Sequence, residues 1–330
     1  MSCRLAGAAA MRAAQTQTSP VLDGGGQGGV AIQVRGLRKR YGDVEAVRGI
    51  DLTVRTGEIF AFLGPNGAGK TTTVEMLEGY RHRDAGEVSV LGSDPADPRP
   101  GWRARIGVVL QECQSEAELT VEECIRLYAG YYPRPRPVAA TLELVGLADR
   151  RAARCGRLSG GQRRRLDVAL ALIGDPELVF LDEPTTGFDP AARQSAWEVI
   201  AGLRDLGKTI FLTTHYMEEA ERLADRIAVI AGGRIVAEGT TATLGGRDAP
   251  ASIVRFTLPP GMPAADLPPV LAAARAGGPG GTVEARTTSP LPLLGALAAW
   301  AQARHVDLPD LQVIRPTLED IYLQLTRETR

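Results

Sequence analysis

The chain has 330 residues, enough for one large domain and a smaller one. Its 38 basic and 39 acidic side chains nearly balance, which argues against nucleic acid as a partner. The four cysteines form no C-x-x-C pair, so we expect reduced thiols and no structural metal site. No membrane span is expected, because the best apolar candidate, residues 293–303, is about half the length required.

The N-terminal part predicts a leader followed by a hairpin. Residues 1–29 are rich in Ala, Gly, Ser and Thr and are expected to be disordered. An alternating strand at 30–34, a turn at 39–42 and a second alternating strand at 47–54 then predict an antiparallel pair. Tyr41 lies in the turn, where its ring could stack on a purine, although an exposed turn tyrosine without such a role is common.

A glycine-rich loop with the pattern G-x-x-x-x-G-K-T follows an apolar strand at 59–63 and precedes a helix at 72–78. Glycines let successive backbone N–H groups face a polyphosphate, and the helix N-terminus adds a partial positive charge. Lys70 is expected to reach the β- and γ-phosphates, and the Thr71 hydroxyl to bind Mg²⁺. The loop residues predicted to bind the nucleotide are Gly64, Pro65, Asn66, Gly67, Ala68, Gly69, Lys70, Thr71 and Thr72.

The middle of the chain changes from strands to helices and back. Strands are predicted at 86–91 and 106–110, the second ending at Gln111. Helical patterns beginning at Leu119 and Ala140, with a break at 131–137, predict a helical insertion over about 112–157.

Leu158-Ser159-Gly160-Gly161-Gln162 predicts a second anion site. Ser159 and Gln162 have the spacing of a capping box, so a helix is expected to begin at Gly160 and to run to Ile173. Capping explains the serine but not the two consecutive glycines, each of which weakens a helix by about 1 kcal/mol.

Two later strands end in polar residues. The strand at 178–183 ends in Asp182 and Glu183, at the sheet edge where open α/β sheets bind ligands. One acid could hold Mg²⁺ and the other could polarise a water, the alternative being a turn with two surface acids. A further buried strand, 209–214, ends at His215, a position where histidine is more often structural than catalytic. A helix at 217–225 and a hairpin at 226–238 follow.

Composition changes near Gly245. Strands are predicted at 252–258, 282–286 and 311–314, and helices at 293–304 and 316–326. Residues 245–330 are therefore expected to form a small α+β appendage without chemistry of its own.

Taken in this order, the motifs resemble those of the ATP-binding subunit of an ABC transporter. Residues 64–71 look like its Walker A motif, Gln111 like its Q-loop, and 158–162 like its signature. Residues 178–183 are similar to its Walker B motif, 187–189 to its D-loop, and His215 to its switch histidine. The D-loop departs from the family pattern in having Phe188 where leucine is usual.

The resemblance implies an α/β P-loop NTPase fold over 30–244, with a mixed sheet, an antiparallel β subdomain and the helical insertion. It implies ATP and Mg²⁺ as cofactors, with the ion organised by Thr71, Gln111 and Asp182. Its remaining assignments are Glu183 as general base, His215 and Gln111 as further catalytic residues, Tyr41 stacked on the base, and Ser159, Gly160, Gly161, Gln162 and Asp189 as nucleotide contacts.

Residues 214–221 and 316–322 look like the daunorubicin-resistance type of drug exporter, in which a lone ATPase polypeptide works with a separately encoded permease. The partners implied are an integral-membrane permease and a second ATPase copy in a head-to-tail homodimer. The location implied is cytoplasmic, on the inner face of the cell membrane.

Three alternatives lie outside drug export. An importer ATPase would carry the same motifs. DNA-maintenance relatives insert a long coiled coil between the Q-loop and the signature, for which the 48 positions from Gln111 to Ser159 leave no room, and translation relatives carry two cassettes in one chain. A nucleotide sensor without turnover would be expected to lack Glu183 or His215.

Overall fold

The computed structural model describes residues 29–109, 116–244, 252–259, 262–263, 266–271, 275–276, 281–308, 310–314 and 322. Three predicted features lie outside these residues: the leader, apart from Gly29; the residue Gln111; and the helix at 316–326, apart from Tyr322. The strands are β1 (Val30–Tyr41), β2 (Val44–Arg55), β3 (Ile59–Leu63), β4 (Ala85–Val90), β5 (Ile106–Val109), β6 (Leu178–Asp182), β7 (Thr209–Thr214), β8 (Arg226–Ala231), β9 (Arg234–Gly239), β10 (Ser252–Thr257), β11 (Arg275–Ala276), β12 (Thr282–Thr287) and β13 (Gln312–Ile314). The helices are α1 (Lys70–Leu77), α2 (Val121–Ala129), α3 (Val138–Leu144), α4 (Gly160–Leu172), α5 (Pro190–Asp205), α6 (Met217–Leu223) and α7 (Pro290–Ala303).

The centre of the molecule is a sheet that, in the described residues, has six strands in the order β5-β6-β7-β3-β8-β9. Strands β5, β6, β7, β3 and β8 run parallel, and β9 returns antiparallel to β8 as a hairpin. Because both faces are covered, the central strands are continuous apolar runs, as in Ile59–Leu63, where every residue is buried. The order β6-β7-β3 places three strand ends side by side at one edge of the sheet.

Successive residues of the central strands enter different cores, as the period of two requires. Ile59, Ala61 and Leu63 face a core that also contains residues of α2 to α6. Phe60 and Phe62 face a second core, shared with α1 and with the antiparallel sheet β2-β1-β4. Phe211 lies 5.7 Å from the rings of Phe60, Phe62 and Phe180, so aromatic contacts join three neighbouring strands.

Helices α2 and α3 lie between β5 and α4 along the chain and pack into the first core. Thr120 begins α2 with a capping box, because its hydroxyl accepts from the Glu123 N–H while the Glu123 carboxylate accepts from Thr120. None of the helices in the described part of the chain combines the length and the apolar character that a membrane span requires.

The C-terminal part forms a third core. Its described strands pair antiparallel in the order β11-β12-β10-β13, and Leu293 and Leu297 of α7 pack against Val254 and Phe256 of β10. Tyr322 packs instead against the first core.

The predicted strands in the described residues are confirmed, although several element ends shift, and two of these shifts have a clear local cause. The turn expected at Lys39 begins at Gly42, because bulges and the left-handed Gly36 (φ 58°) let β1 bend and continue. The helix expected at 217–225 ends at Leu223, because Ala224 is extended and the Asp225 carboxylate accepts from the Ile59 N–H. Helix α5 was not predicted.

Candidate active site

The loop between β3 and α1 surrounds a cavity of about 400 Å³. Lys70 begins α1, and its ammonium group donates to the carbonyl oxygens of Gly64 (2.7 Å) and Pro65 (3.3 Å). Burial lowers the pKa of Lys70, while the charges of Glu183 and Asp182 act in the opposite direction. The Lys70 side chain thus lies at the cavity between two carbonyls and two acids.

Two glycines let this loop approach the neighbouring strands closely. A Cβ atom on Gly64 would lie 2.6 Å from the Ile230 carbonyl oxygen, and one on Gly69 would lie 2.5 Å from that of Ala46. Gly69 also has φ 105°, which a side chain disfavours. The structure brings the predicted loop residues together: Pro65, Asn66, Gly67, Gly69, Lys70, Thr71 and Thr72 line the cavity. Of the two others, Gly64 accepts from Lys70 through its carbonyl, and the Ala68 carbonyl accepts from the Gly233 N–H.

The two predicted acids stand at the end of β6, beside β7. The Thr213 hydroxyl donates to the Asp182 carboxylate and also accepts, at 3.1 Å, from the Glu183 N–H. The same N–H donates to the Thr213 carbonyl at 3.1 Å. The end of β7 therefore fixes both the carboxylate of one acid and the backbone of the other.

The Glu183 carboxylate connects three predicted site residues. One oxygen lies 3.9 Å from the Lys70 ammonium, and the other lies 3.2 Å from Nδ1 of His215. The Thr186 hydroxyl donates to that second oxygen at 3.1 Å. The carboxylate is largely buried and touches a cation, an imidazole and a hydroxyl, an arrangement that can accept a proton from a neighbouring water.

The residues present fit an Mg²⁺ ion. Thr71 lines the phosphate-loop cavity, and the Asp182 carboxylate is oriented by a hydrogen bond from the Thr213 hydroxyl. Hydroxyl and carboxylate oxygens are the ligands that Mg²⁺ prefers. Gln111, the third predicted ligand, lies outside the described residues.

The glycine-rich start of α4 lines a second cavity, of about 790 Å³. The predicted capping box is present: the Gln162 N–H donates to the Ser159 hydroxyl (3.3 Å), and the Ser159 N–H donates to the Gln162 side chain (3.1 Å). Among the described residues, nothing lies within 4 Å of where a Cβ of Gly160 would be, and only the Ala192 Cβ approaches that of Gly161, at 3.5 Å. Packing within the chain thus leaves the two glycines unexplained.

Glu183 lines both cavities, and no other residue in the described part of the chain does so. Asp189 lines the second cavity and begins α5, where its carboxylate accepts from the Ala192 N–H at 2.9 Å. The structure therefore keeps the two predicted anion sites apart within one chain and places the predicted base between them.

Tyr41 ends β1 with its side chain partly exposed. The Lys39 ammonium lies 5.8 Å from the ring centroid and the Arg81 guanidinium 5.2 Å from it. Each cation is held by a carboxylate, Lys39 by Asp84 and Arg81 by Glu75.

Several residues around the acids were missed by sequence reasoning. Thr213 was treated only as part of a strand, and Thr186 was not singled out. The only available signal for Thr213 was its place one residue before the end of the strand that leads to His215. Arg164, which donates to the Asp182 and Pro184 carbonyls, carried no signal, because these contacts arise from tertiary packing.

Comparisons with known proteins agree with this geometry. The ABC transporter family matches residues 47–186, and the C-terminal domain family of ABC transporter domain-containing protein-like proteins matches 252–317. Nod factor export ATP-binding protein I of Burkholderia orbicola is 40% identical over 301 residues, which cover 89% of this chain and 96% of that protein. Daunorubicin resistance ATP-binding protein DrrA3 of Streptomyces coeruleorubidus is 38% identical over 308 residues, covering 91% and 97%. A solved ATP binding subunit of an ABC transporter superposes with a TM-score of 0.58 at 28% identity, covering 64% of this chain and 90% of that one.

Proposed function

Because this chain belongs to the family of ATP-binding subunits of ABC transporters, we propose that it hydrolyses ATP to power export of a small molecule through a separately encoded permease. The observation that carries the hydrolytic role is the Glu183 carboxylate, which stands between the phosphate-loop cavity and the signature cavity and contacts both Lys70 and His215. The direction of transport rests on relatives named as export and drug-resistance proteins.

In the proposed reaction, Lys70 and the loop N–H groups hold the β- and γ-phosphates. Glu183 accepts a proton from a water whose oxygen attacks the γ-phosphorus, and the bond to ADP breaks. His215, 3.2 Å from Glu183, orients the carboxylate and contacts the γ-phosphate. Thr71, Asp182 and Gln111 would hold Mg²⁺, which when bound neutralises charge on the phosphates.

The active site is completed by a second copy of the chain. Two anion-binding helix starts lie in separate cavities of one chain, and one triphosphate is served by both if they come from different chains. The open space beside Gly160 leaves room for a close approach by such a copy. A symmetric head-to-tail pair gives two shared sites, each with Lys70 from one chain and Ser159 from the other.

The remaining parts of the proposal concern location and the appendage. Since the chemistry uses ATP, the chain works on the cytoplasmic face of the membrane, docked against the permease. Residues 245–330 act as an accessory domain that adjusts dimer or permease contacts. The relatives' names, one of which refers to export and one to drug resistance, support a drug-like or other small molecule as cargo.

The Glu183→Gln variant tests the hydrolytic role. It should bind ATP with normal affinity and lose turnover by about 10²- to 10⁴-fold, the contribution expected of a general base. Lys70→Ala should instead weaken ATP binding by about tenfold or more, because it removes a charged hydrogen-bond donor. Affinity and kcat are measured for both variants. Glu177→Gln is the matched control, since Glu177 precedes the opposite end of β6 and pairs with Arg105. Near-normal turnover of Glu183→Gln would remove that residue from the role.

Mixing two inactive variants tests the shared site. Lys70→Ala and Ser159→Arg should each be inactive, but in a mixed dimer one site carries both lesions and the other carries neither. Part of the ATPase rate should therefore return on mixing. Pull-down through two different tags establishes that mixed dimers have formed. With mixed dimers present, no recovery of activity would contradict the shared site.

A further inference from the structure

Glu183 has an unusual backbone conformation. Its φ is 46°, in the left-handed region that few residues with a side chain adopt. Such a conformation persists only where surrounding groups hold it, and it directs the carboxylate toward Lys70 and His215. The contacts that hold this residue are therefore part of how the site is positioned.

Arg164 of α4 holds the backbone on both sides of Glu183. Its Nη2 donates to the Asp182 carbonyl oxygen at 2.9 Å, and its Nε donates to the Pro184 carbonyl oxygen at 3.2 Å. The planar guanidinium presents its donors as a rigid fork, which suits two carbonyls two residues apart. Arg164 is buried, so these hydrogen bonds are shielded from water.

The buried carboxylate of Asp167 supports the Arg164 guanidinium. Asp167, one turn along α4, is also buried, and its Oδ2 lies 4.0 Å from Nη1 of Arg164. The strand on the other side contributes Thr213, which accepts from the Glu183 N–H. Arg164 therefore holds the backbone around Glu183 from α4, and Thr213 holds it from β7.

Arg164 lies two residues after Gln162, in the helix that begins with the predicted anion site. If the start of α4 moves, the Arg164 guanidinium moves with it and shifts the peptide groups on either side of Glu183. We propose that Arg164 is a positioning residue that holds Glu183 in its proton-accepting orientation and couples that orientation to engagement of the signature helix by the second copy's ATP. This inference rests on the proposed function.

Arg164→Met removes the donors while keeping a side chain of similar length. The kcat should fall by about tenfold to a hundredfold, the range expected when a catalytic group is displaced by about 1 Å, while KM for ATP stays within about twofold. Arg164→Lys keeps a cation beside Asp167 but cannot donate to both carbonyls, so its kcat should be intermediate. The lysine variant decides the question if burial of an unpaired Asp167 prevents the methionine variant from folding.

Measurements in the Glu183→Gln background separate a positioning role of Arg164 from a general effect on stability. Because Arg164 acts through Glu183, adding Arg164→Met or Arg164→Lys to Glu183→Gln should change the single-turnover rate by less than about twofold. Arg105→Met is the matched control, since the Arg105 guanidinium also bridges two acceptors, the Leu91 carbonyl and the Glu177 carboxylate, but lines neither cavity, so the kcat of this variant should be unchanged.

Three results would overturn the inference: an Arg164→Lys kcat equal to wild type, a loss of the same factor in both backgrounds, or an equal loss in Arg105→Met. Failure of the proposed function would appear differently, as a wild-type chain without turnover or a Glu183→Gln variant that retains it.

Discussion

Glu78, at the end of α1, is a buried carboxyl close to the charged site. Its side chain is buried, and Oε1 has no hydrogen-bond partner among the described residues. Burial, reinforced by the charges of Asp182 and Glu75, raises the pKa of Glu78 from 4.5 to about 8. Folding therefore takes up a proton at neutral pH, because the folded chain holds this carboxyl neutral and the unfolded chain ionises it.

The sign and size of the effect on stability follow from linkage. Where the folded state binds the extra proton, stability falls as pH rises, here from pH 4.5 to about 8, above which the loss is complete. Each pKa unit corresponds to about 1.4 kcal/mol, so the cost is about 2 kcal/mol at pH 6 and about 5 kcal/mol at pH 9. The wild type should therefore lose about 3 kcal/mol of stability from this residue between those two pH values.

The isosteric variant Glu78→Gln cannot ionise and should not show this loss. The free energy of unfolding by urea is measured at pH 6 and pH 9 for both proteins, without nucleotide and with a chelator. Asp167, whose pKa burial raises to about 6, titrates alike in both proteins and cancels. The pH dependence of the variant should be smaller by about 3 kcal/mol, whatever its absolute stability. Parallel pH dependences would refute a neutral Glu78.

Three further predictions concern the phosphate loop, the stacking of Tyr41 on the purine of ATP, and the appendage. Gly69→Ala should destabilise the loop by more than about 2 kcal/mol and abolish ATP binding, whereas Gly67→Ala, with no atom of the described residues within 4 Å of its Cβ, should cost about 1 kcal/mol in urea unfolding. Tyr41→Ala should weaken ATP binding by about 1–3 kcal/mol without changing the affinity for inorganic tripolyphosphate. The control Tyr131→Ala, in the helical insertion, should change neither affinity. Equal effects of Tyr41→Ala on both ligands would exclude stacking on the purine. A chain ending at Gly245 should bind ATP with unchanged Kd but unfold more readily, because it loses the Tyr322 packing against the central core; loss of ATP binding by the folded truncation would show that the appendage contributes to the site.

Much of the fold follows from patterns in the sequence because its signals are local. Buried parallel strands are continuous apolar runs, as in Ile59–Leu63, and the capping box at Ser159 identifies the start of α4 within the chain itself. The order β6-β7-β3 has no such local signal, yet it is what brings Lys70, Glu183 and His215 together.

Two features of the site region escaped prediction for different reasons. Helix α5 has local signals that were missed: a cap in Asp189 and Pro190, and buried residues Trp197, Ile200 and Leu203 spaced three apart, as on one face of a helix. Arg164 follows Arg163 and precedes Arg165, so composition does not distinguish the buried arginine from its exposed or half-buried neighbours. The difference arises from α4 packing against the end of β6, which requires the assembled fold.

The contacts of Glu183 show how the nucleotide and the second copy can act on one carboxylate. The Lys70 ammonium donates to the Gly64 and Pro65 carbonyls and lies 3.9 Å from Glu183. In the proposed complex, a polyphosphate would compete for this cation with its higher charge and would leave the carboxylate to His215 and a water. The backbone of Glu183 is held by Thr213 from β7 and through Arg164 from α4. In the proposed head-to-tail pair, one chain's phosphate loop would set the charge around Glu183, its own helix α4 would set the orientation of Glu183, and these two helix starts would contact different ATP molecules. Arg164 would then couple the two sites, because it connects the helix that contacts one ATP to the glutamate that acts on the other.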